Sequence, residues 1–202
     1  MRFFGTSVLA LTVVFPASFA SGQNMLFNPN FDIDVVGWSA VADATITWDP
    51  MDSDNDPGSG SAMVANVANY STTMGANQCS TVLEGDQEFS LRTMIYIPSG
   101  QSETGFGYVS IRFYELPNCQ GNLLTSNFST QVYTTTPDQW LESSRVLMAP
   151  PNSQSALVWL SIHKDGNGPL DMAFDNVSLF PIVIFADGFD DGDTSRWSNT
   201  VP

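Results

Sequence analysis

Basic residues are scarce in this chain. Six lysines and arginines stand against 21 aspartates and glutamates in 202 residues, a formal net charge of −15. Binding to phosphate needs Lys and Arg to displace counterions, so the balance argues against nucleic acid and anionic membranes as partners. It suits divalent cations or neutral ligands. Histidine is rarer still: His163 stands alone. A single histidine gives poor support to metal hydrolysis, and no serine sits in a Gly-x-Ser-x-Gly elbow. There are two cysteines and no CxxC or Cys/His spacing, which excludes the usual zinc and dithiol redox patterns. Long apolar runs are missing too. The longest, Val8–Phe15, falls short of the about 20 residues that span a bilayer. No segment carries a sustained helical stripe at i, i+3, i+4, i+7.

What is present begins at the N-terminus. Arg2 is the only charge in Met1–Ser21, Val8–Phe15 is apolar, and Ala17-Ser18-Phe19-Ala20 places small residues where a signal peptidase cuts. These features predict a secretory signal peptide over 1–20 and a secreted chain, extracellular or periplasmic. About 180 residues then remain, the size of one domain with a proper core. Export places Cys79 and Cys119 in an oxidising compartment, where an even number of cysteines predicts a disulfide.

The rest of the chain reads as β. Runs rich in Val, Ile, Thr, Phe, Tyr and Trp alternate with Gly, Pro, Asn and Asp clusters. Strands are predicted at 43–48, 61–67, 78–83, 88–97, 106–115, 126–133, 140–148, 155–163 and 172–180. Turns such as Asp56-Pro57-Gly58, Pro98-Ser99-Gly100 and Asp165-Gly166-Asn167-Gly168 separate them. Many short strands with regular turns predict an all-β fold, an antiparallel β-sandwich. Several strands alternate with period two. Phe89, Leu91, Ile95 and Ile97 share one face of 88–97; Val109, Ile111 and Phe113 share one of 106–115; Ala156, Val158, Leu160 and Ile162 share one of 155–163. Such alternation buries one face and exposes the other.

The order of motifs resembles a known group. Leu26-Phe27-Asn28-Pro29-Asn30-Phe31-Asp32 is followed by Gly37-Trp38. A Gly58-Ser59-Gly60-Ser61-Ala62 turn leads into a strand, Trp140 opens a late strand, and Phe174-Asp175-Asn176-Val177-Ser178-Leu179 closes the set. Residues 24–181 resemble the jelly-roll carbohydrate-binding modules of families four, nine and twenty-two, which are galactose-binding-domain-like. The resemblance implies a structural calcium, with Asp32 and Asp175 as ligands. The stretch around Pro117-Asn118-Cys119-Gln120-Gly121 is similar to a subgroup of these domains with a strand-to-strand disulfide. The remainder, 182–202, is similar to a C-terminal tail of exported bacterial proteins.

The faces opposite the aliphatic sets carry the candidate site. Tyr96, Tyr108, Arg112, Tyr114, Trp159 and His163 are polar-aromatic or hydrogen-bonding groups on three strands. They are expected to share one concave sheet. Sugar C–H faces lie on aromatic rings, while Arg, His and Tyr hydroxyls bond sugar hydroxyls. Clustered exposed rings mark a binding surface. The alternative for the same rings is packing under loops or pairing across strands. Asp52-Ser53-Asp54-Asn55-Asp56 starts like a calcium-binding helix–loop–helix motif. Its glycine is displaced, and Met63 stands where the bidentate glutamate belongs, so it reads as a solvated loop. Glu84, Glu88, Glu103, Glu115 and Glu142 are available for two-carboxylate glycosidase chemistry, but no pair is singled out.

The expectation is therefore a non-catalytic, monomeric module that binds a neutral or weakly charged polysaccharide or cell-surface glycan. Two other readings stay open: a structural or adhesive sandwich without a sugar site, and a small glycoside-active enzyme. Fold alone does not separate them.

Overall fold

The computed structural model describes residues 23–81 and 83–182. The signal peptide expected at 1–20, and the tail beyond Ile182, lie outside the described residues. Among the described residues no helix is long and apolar enough to cross a membrane.

Eleven strands follow in order: β1 Ser39–Val41, β2 Ala44–Asp49, β3 Ser61–Asn66, β4 Thr72–Ser80, β5 Glu88–Tyr96, β6 Gly105–Leu116, β7 Gln120–Phe128, β8 Val132–Tyr133, β9 Trp140–Met148, β10 Ser155–Lys164 and β11 Leu170–Pro181. A short 3₁₀ turn, Pro117–Cys119, joins β6 to β7. The strands form two sheets. Sheet A runs β1-β4-β10-β6-β7, with β8 also pairing β6, and sheet B runs β2-β3-β11-β5-β9. The strand pairs are antiparallel. The fold is the antiparallel β-sandwich that the turn spacing predicts.

The alternating apolar sets meet between the sheets. Leu91, Ile95, Ile111, Val158, Leu160 and Phe174 are all excluded from solvent. Phe89 of sheet B meets Phe113 of sheet A with ring centroids 6.3 Å apart. Fully burying such a side chain stabilises by about 1.5–3 kcal/mol, which makes this layer the main source of stability.

The opening motif plugs one end of the core. Phe31 is completely buried and its ring lies 5.7 Å from that of Trp38. Trp38 Nε1 donates to the Asn28 carbonyl at 3.2 Å, and Trp48 Nε1 to the Phe31 carbonyl at 2.7 Å. The segment is also tied to β11, through Met25 N–H to Leu179 O and Val177 N–H to Pro29 O.

The short β1 is not among the expected strands, and strand boundaries differ from expectation by more than two residues in two places. β4 begins at Thr72 rather than 78, because its first half is small and polar and shows no apolar alternation. Gly75 explains part of this: a Cβ there would meet the Leu160 carbonyl oxygen at 1.8 Å, so only glycine allows the close approach to β10. The stretch expected as one strand at 126–133 is the end of β7, a break, and β8.

Candidate binding face

β6 and β10 lie side by side in the middle of sheet A. Their register pairs Phe106 with His163, Tyr108 with Ser161, Ser110 with Trp159, Arg112 with Leu157, and Tyr114 with Ser155. Val109, Ile111, Phe113, Val158, Leu160 and Ile162 fill the inner face. Tyr108, Arg112, Tyr114, Trp159 and His163 therefore all stand on the outer face of one sheet.

Tyr96 does not join them. It belongs to β5 of sheet B, paired with Ala173 and Trp140. Its ring lies 5.5 Å from that of Trp140, and its hydroxyl donates to Asp138 Oδ1 at 3.3 Å. Burial and the Asp138 charge raise the pKa of that hydroxyl. Asp138 also accepts the Ser99 N–H at 2.8 Å, a bond that lowers its own pKa. Tyr96 thus braces a turn. Parity along a strand tells which residues leave the core, not which of two sheets they leave from, and that is why it groups Tyr96 wrongly.

The outer face of sheet A holds rings that the alternation alone does not single out. Phe106 stacks on the His163 imidazole with centroids 4.8 Å apart, and lies 5.4 Å from Tyr133 and 5.8 Å from Tyr108. Phe128 meets Tyr108 edge-on at 5.9 Å. Phe128 and Tyr133 are 51% and 49% exposed, so these rings support one another while staying open to solvent. The signal for Phe106 is its shared parity with Tyr108. Phe128 and Tyr133 are an odd number of residues apart and would face opposite ways in an unbroken strand. The break between β7 and β8 brings them to one face: Phe128 pairs with Ser110, and Tyr133 with Phe106.

Polar groups fill the spaces between the rings. Ser110 Oγ and Ser161 Oγ are 3.2 Å apart, and Thr73 Oγ1 lies 3.0 Å from His163 Nδ1. His163 Nε2 is 3.6 Å from Asp165 Oδ1. The Arg112 guanidinium lies over the Trp159 ring, 4.5 Å from its centroid. The indole Nε1 of Trp159 is buried and makes no hydrogen bond to the described residues.

The expected disulfide is present and closes one end of this face. Cys79 of β4 bonds Cys119, with Cα atoms 6.0 Å apart. Cys119 N–H donates to Ser155 Oγ at 2.9 Å, and Ser155 Oγ to Leu116 O at 2.5 Å. The β6–β7 turn is thereby docked on the start of β10.

The two acids expected to hold calcium have separate partners. Asp175 is excluded from solvent beside an irregularity in β11, and its oxygens accept N–H groups of Ser53 at 2.9 Å and Asn176 at 2.6 Å. Burial pushes its pKa up against those bonds, with a smaller push from Asp52. Asp32 Oδ1 accepts from Ser59 Oγ at 3.2 Å. Among the described residues no three His, Cys, Asp or Glu side chains form a metal-sized cluster. The fit to a calcium ion thus rests on one buried carboxylate that no basic side chain among the described residues neutralises. The Asp52–Asp56 loop is held by itself: Asp52 Oδ1 accepts the N–H groups of Asp54 and Asp56, both at 2.8 Å. Of the glutamates, Glu103 takes the Gly168 N–H at 2.6 Å and Glu115 the Asn122 amide at 2.9 Å. A cavity of about 330 Å³ opens on the other sheet, lined by Asn30, Asp54, Arg92, Met94, Glu142 and Phe180.

The sequence matches no protein-family model and no curated protein. Solved structures do match. The CBM22-1 xylan-binding domain from Paenibacillus barcinonensis Xyn10C superposes with a TM-score of 0.61 at 10% identity, over 83% of this chain and 100% of that one. The C-terminal family 22 carbohydrate-binding module of Clostridium thermocellum Xyn10B gives 0.56 at 14% identity, over 82% and 97%. The enzymatically active domain of bacteriophage CBA120 tailspike protein 4 gives 0.58 at 17% identity over 79% of this chain. This chain spans 21% of that tailspike chain, and 26% and 28% of two other long chains it matches. What these likenesses establish is the fold: the chain is a jelly-roll β-sandwich of the kind that carbohydrate-binding modules carry.

Proposed function

We propose that this protein is a secreted, non-catalytic carbohydrate-binding module that holds a xylan-type polysaccharide on the outer face of sheet A. The observation that carries the reading is the contiguous ring set Tyr133–Phe106–Tyr108–Phe128 with His163, continued by Trp159 toward the disulfide. Rings on neighbouring strands offer flat apolar surfaces to successive sugars, and Ser110, Thr73 and the tyrosine hydroxyls supply hydrogen bonds. Three of the matched domains are described as xylan-binding, which supports the choice of polysaccharide. One face of the Trp159 ring is taken by Arg112, so the more open rings of Phe128 and Tyr133 carry more of the stacking. A structural calcium at Asp175, with Asp32, belongs to the same proposal, and the unneutralised buried carboxylate supports it.

Each stacked ring contributes on the order of 1 kcal/mol beyond the area it buries, so binding is modest and spread over several subsites. Retention of the purified protein on insoluble xylan tests this. Tyr133→Ala is expected to reduce retention about five- to tenfold, and Trp159→Ala by less. Wild-type retention by both variants, with unchanged thermal unfolding, would place any binding elsewhere.

A further inference from the structure

Positive charge in this chain is rare but not evenly spread. Arg112 lies over Trp159, and Arg145 reaches from β9 to within 6.0 Å of the Phe128 ring centroid. Two of the six Lys and Arg residues thus stand beside aromatic rings of the candidate face. They differ in what they hold. Arg145 Nη1 donates to the Phe128 carbonyl at 2.9 Å. Among the described residues the Arg112 guanidinium makes no hydrogen bond and no ion pair, although its side chain is half-buried.

No acid among the described residues of the face answers that charge. Across the strands Arg112 is paired with Leu157 and Ser126, and along β6 its outer-face neighbours are Ser110 and Tyr114. Glu115, three residues on, holds the Asn122 amide. Asp165 sits beside His163, at the level of Phe106. That level is six residues along β6, about 20 Å away. The neighbouring Trp159 Nε1 is likewise a buried donor without an acceptor. A guanidinium held over an indole carries its fork of donors in one plane, the geometry that a carboxylate accepts with two parallel bonds.

We propose that the outer face of sheet A selects a polysaccharide that carries uronic acid residues, with Arg112 taking the uronate carboxylate beside the sugar-stacking rings. The inference rests on the carbohydrate-binding reading above. It replaces the neutral ligand that net charge suggests, because net charge averages over the whole surface while recognition is local to one face.

Glucuronoxylan and the same polymer after reduction of its carboxyl groups form the test. They share a backbone and differ in charge at the uronic acid. Affinity of the wild-type protein for the native polymer is expected to exceed that for the reduced one by about tenfold, the gain of a charge-assisted pair. Arg112→Gln should abolish the preference, so that the variant's affinities for the two polymers become equal whatever their absolute level, and Arg112→Lys should keep only part of it. Equal wild-type affinity for the two polymers overturns the proposal and leaves the carbohydrate reading standing. A preference that survives in Arg112→Gln overturns the role of Arg112. Failure of the wild-type protein to bind either polymer overturns the carbohydrate reading, and this proposal with it.

Discussion

Sheet A turns the contiguous rings of Phe106, Tyr108, Phe128 and Tyr133 outward with Trp159, whereas sheet B turns out Thr45, Thr47, Met63, Ala65 and Asp171 and a single ring pair, Tyr96 with Trp140, that braces a turn. Both faces arise from the same period-two alternation around one core. The coverings differ as well. On sheet B the Asp52–Asp56 loop reaches the surface, and Ser53 N–H bonds Asp175 there. On sheet A the rings lean on one another, and a disulfide-tied turn closes only one end. Covering by a loop turns an outward residue into a buried one, as it does for Asp175. Mutual support between rings keeps them available to a ligand. Alternation thus predicts what leaves the core, and the loops decide whether it remains a surface.

Substitutions and conditions that act on one sheet and spare the other sharpen this contrast. The largest effect is expected from the tie at the end of sheet A. The cysteines are 40 residues apart, and replacing both Cys79 and Cys119 with serine should cost about 4 kcal/mol in the chain-entropy view. Urea unfolding measures it, and a loss below about 1 kcal/mol would remove the disulfide from the account of stability. Next comes the ion proposed on sheet B. Calcium at a hundred times its dissociation constant should stabilise by about 2.7 kcal/mol, seen as a higher melting midpoint than in chelator. Identical midpoints would leave Asp32 and Asp175 with only their turn hydrogen bonds.

The smallest effect is one of pH. Burial raises the folded pKa of Asp175 above its unfolded value. Its contribution to stability is then fully present below the unfolded pKa and is lost as pH rises through the folded one. In chelator, the wild-type protein should therefore gain stability relative to Asp175→Asn as the pH falls from neutral into the carboxylate range. Denaturant midpoints across that range measure it, and parallel profiles would show that burial does not penalise the charge. The two changes on sheet B should leave the ring set of sheet A in place.

Much of the fold is legible in the amino-acid sequence. Alternation assigns Phe89, Leu91, Ile95, Val158 and Leu160 to the core, and all are fully buried. β9 spans 140–148, as expected. The first half of β4 is not legible, because Gly75, Ala76 and Asn77 carry no apolar alternation and are strand residues only through pairing with β10. The candidate face is half legible. Parity places five side chains together, while Tyr96 comes in from the wrong sheet because parity is blind to sheet membership. Phe128 and Tyr133 escape because a three-residue break resets the phase between them. The unpartnered guanidinium of Arg112 is invisible in sequence, since its lack of an acid depends on strands distant along the chain.

A titration of the ¹⁵N-labelled protein with xylohexaose, followed by amide chemical shifts, tests most directly the claim that one face of one sheet binds sugar. The largest shifts are expected at Phe106, Tyr108, Phe128, Tyr133, Trp159 and His163, with Tyr96, Met94 and Glu142 of sheet B unmoved. Shifts centred on those sheet B residues, or no shifts at saturating sugar, would contradict it.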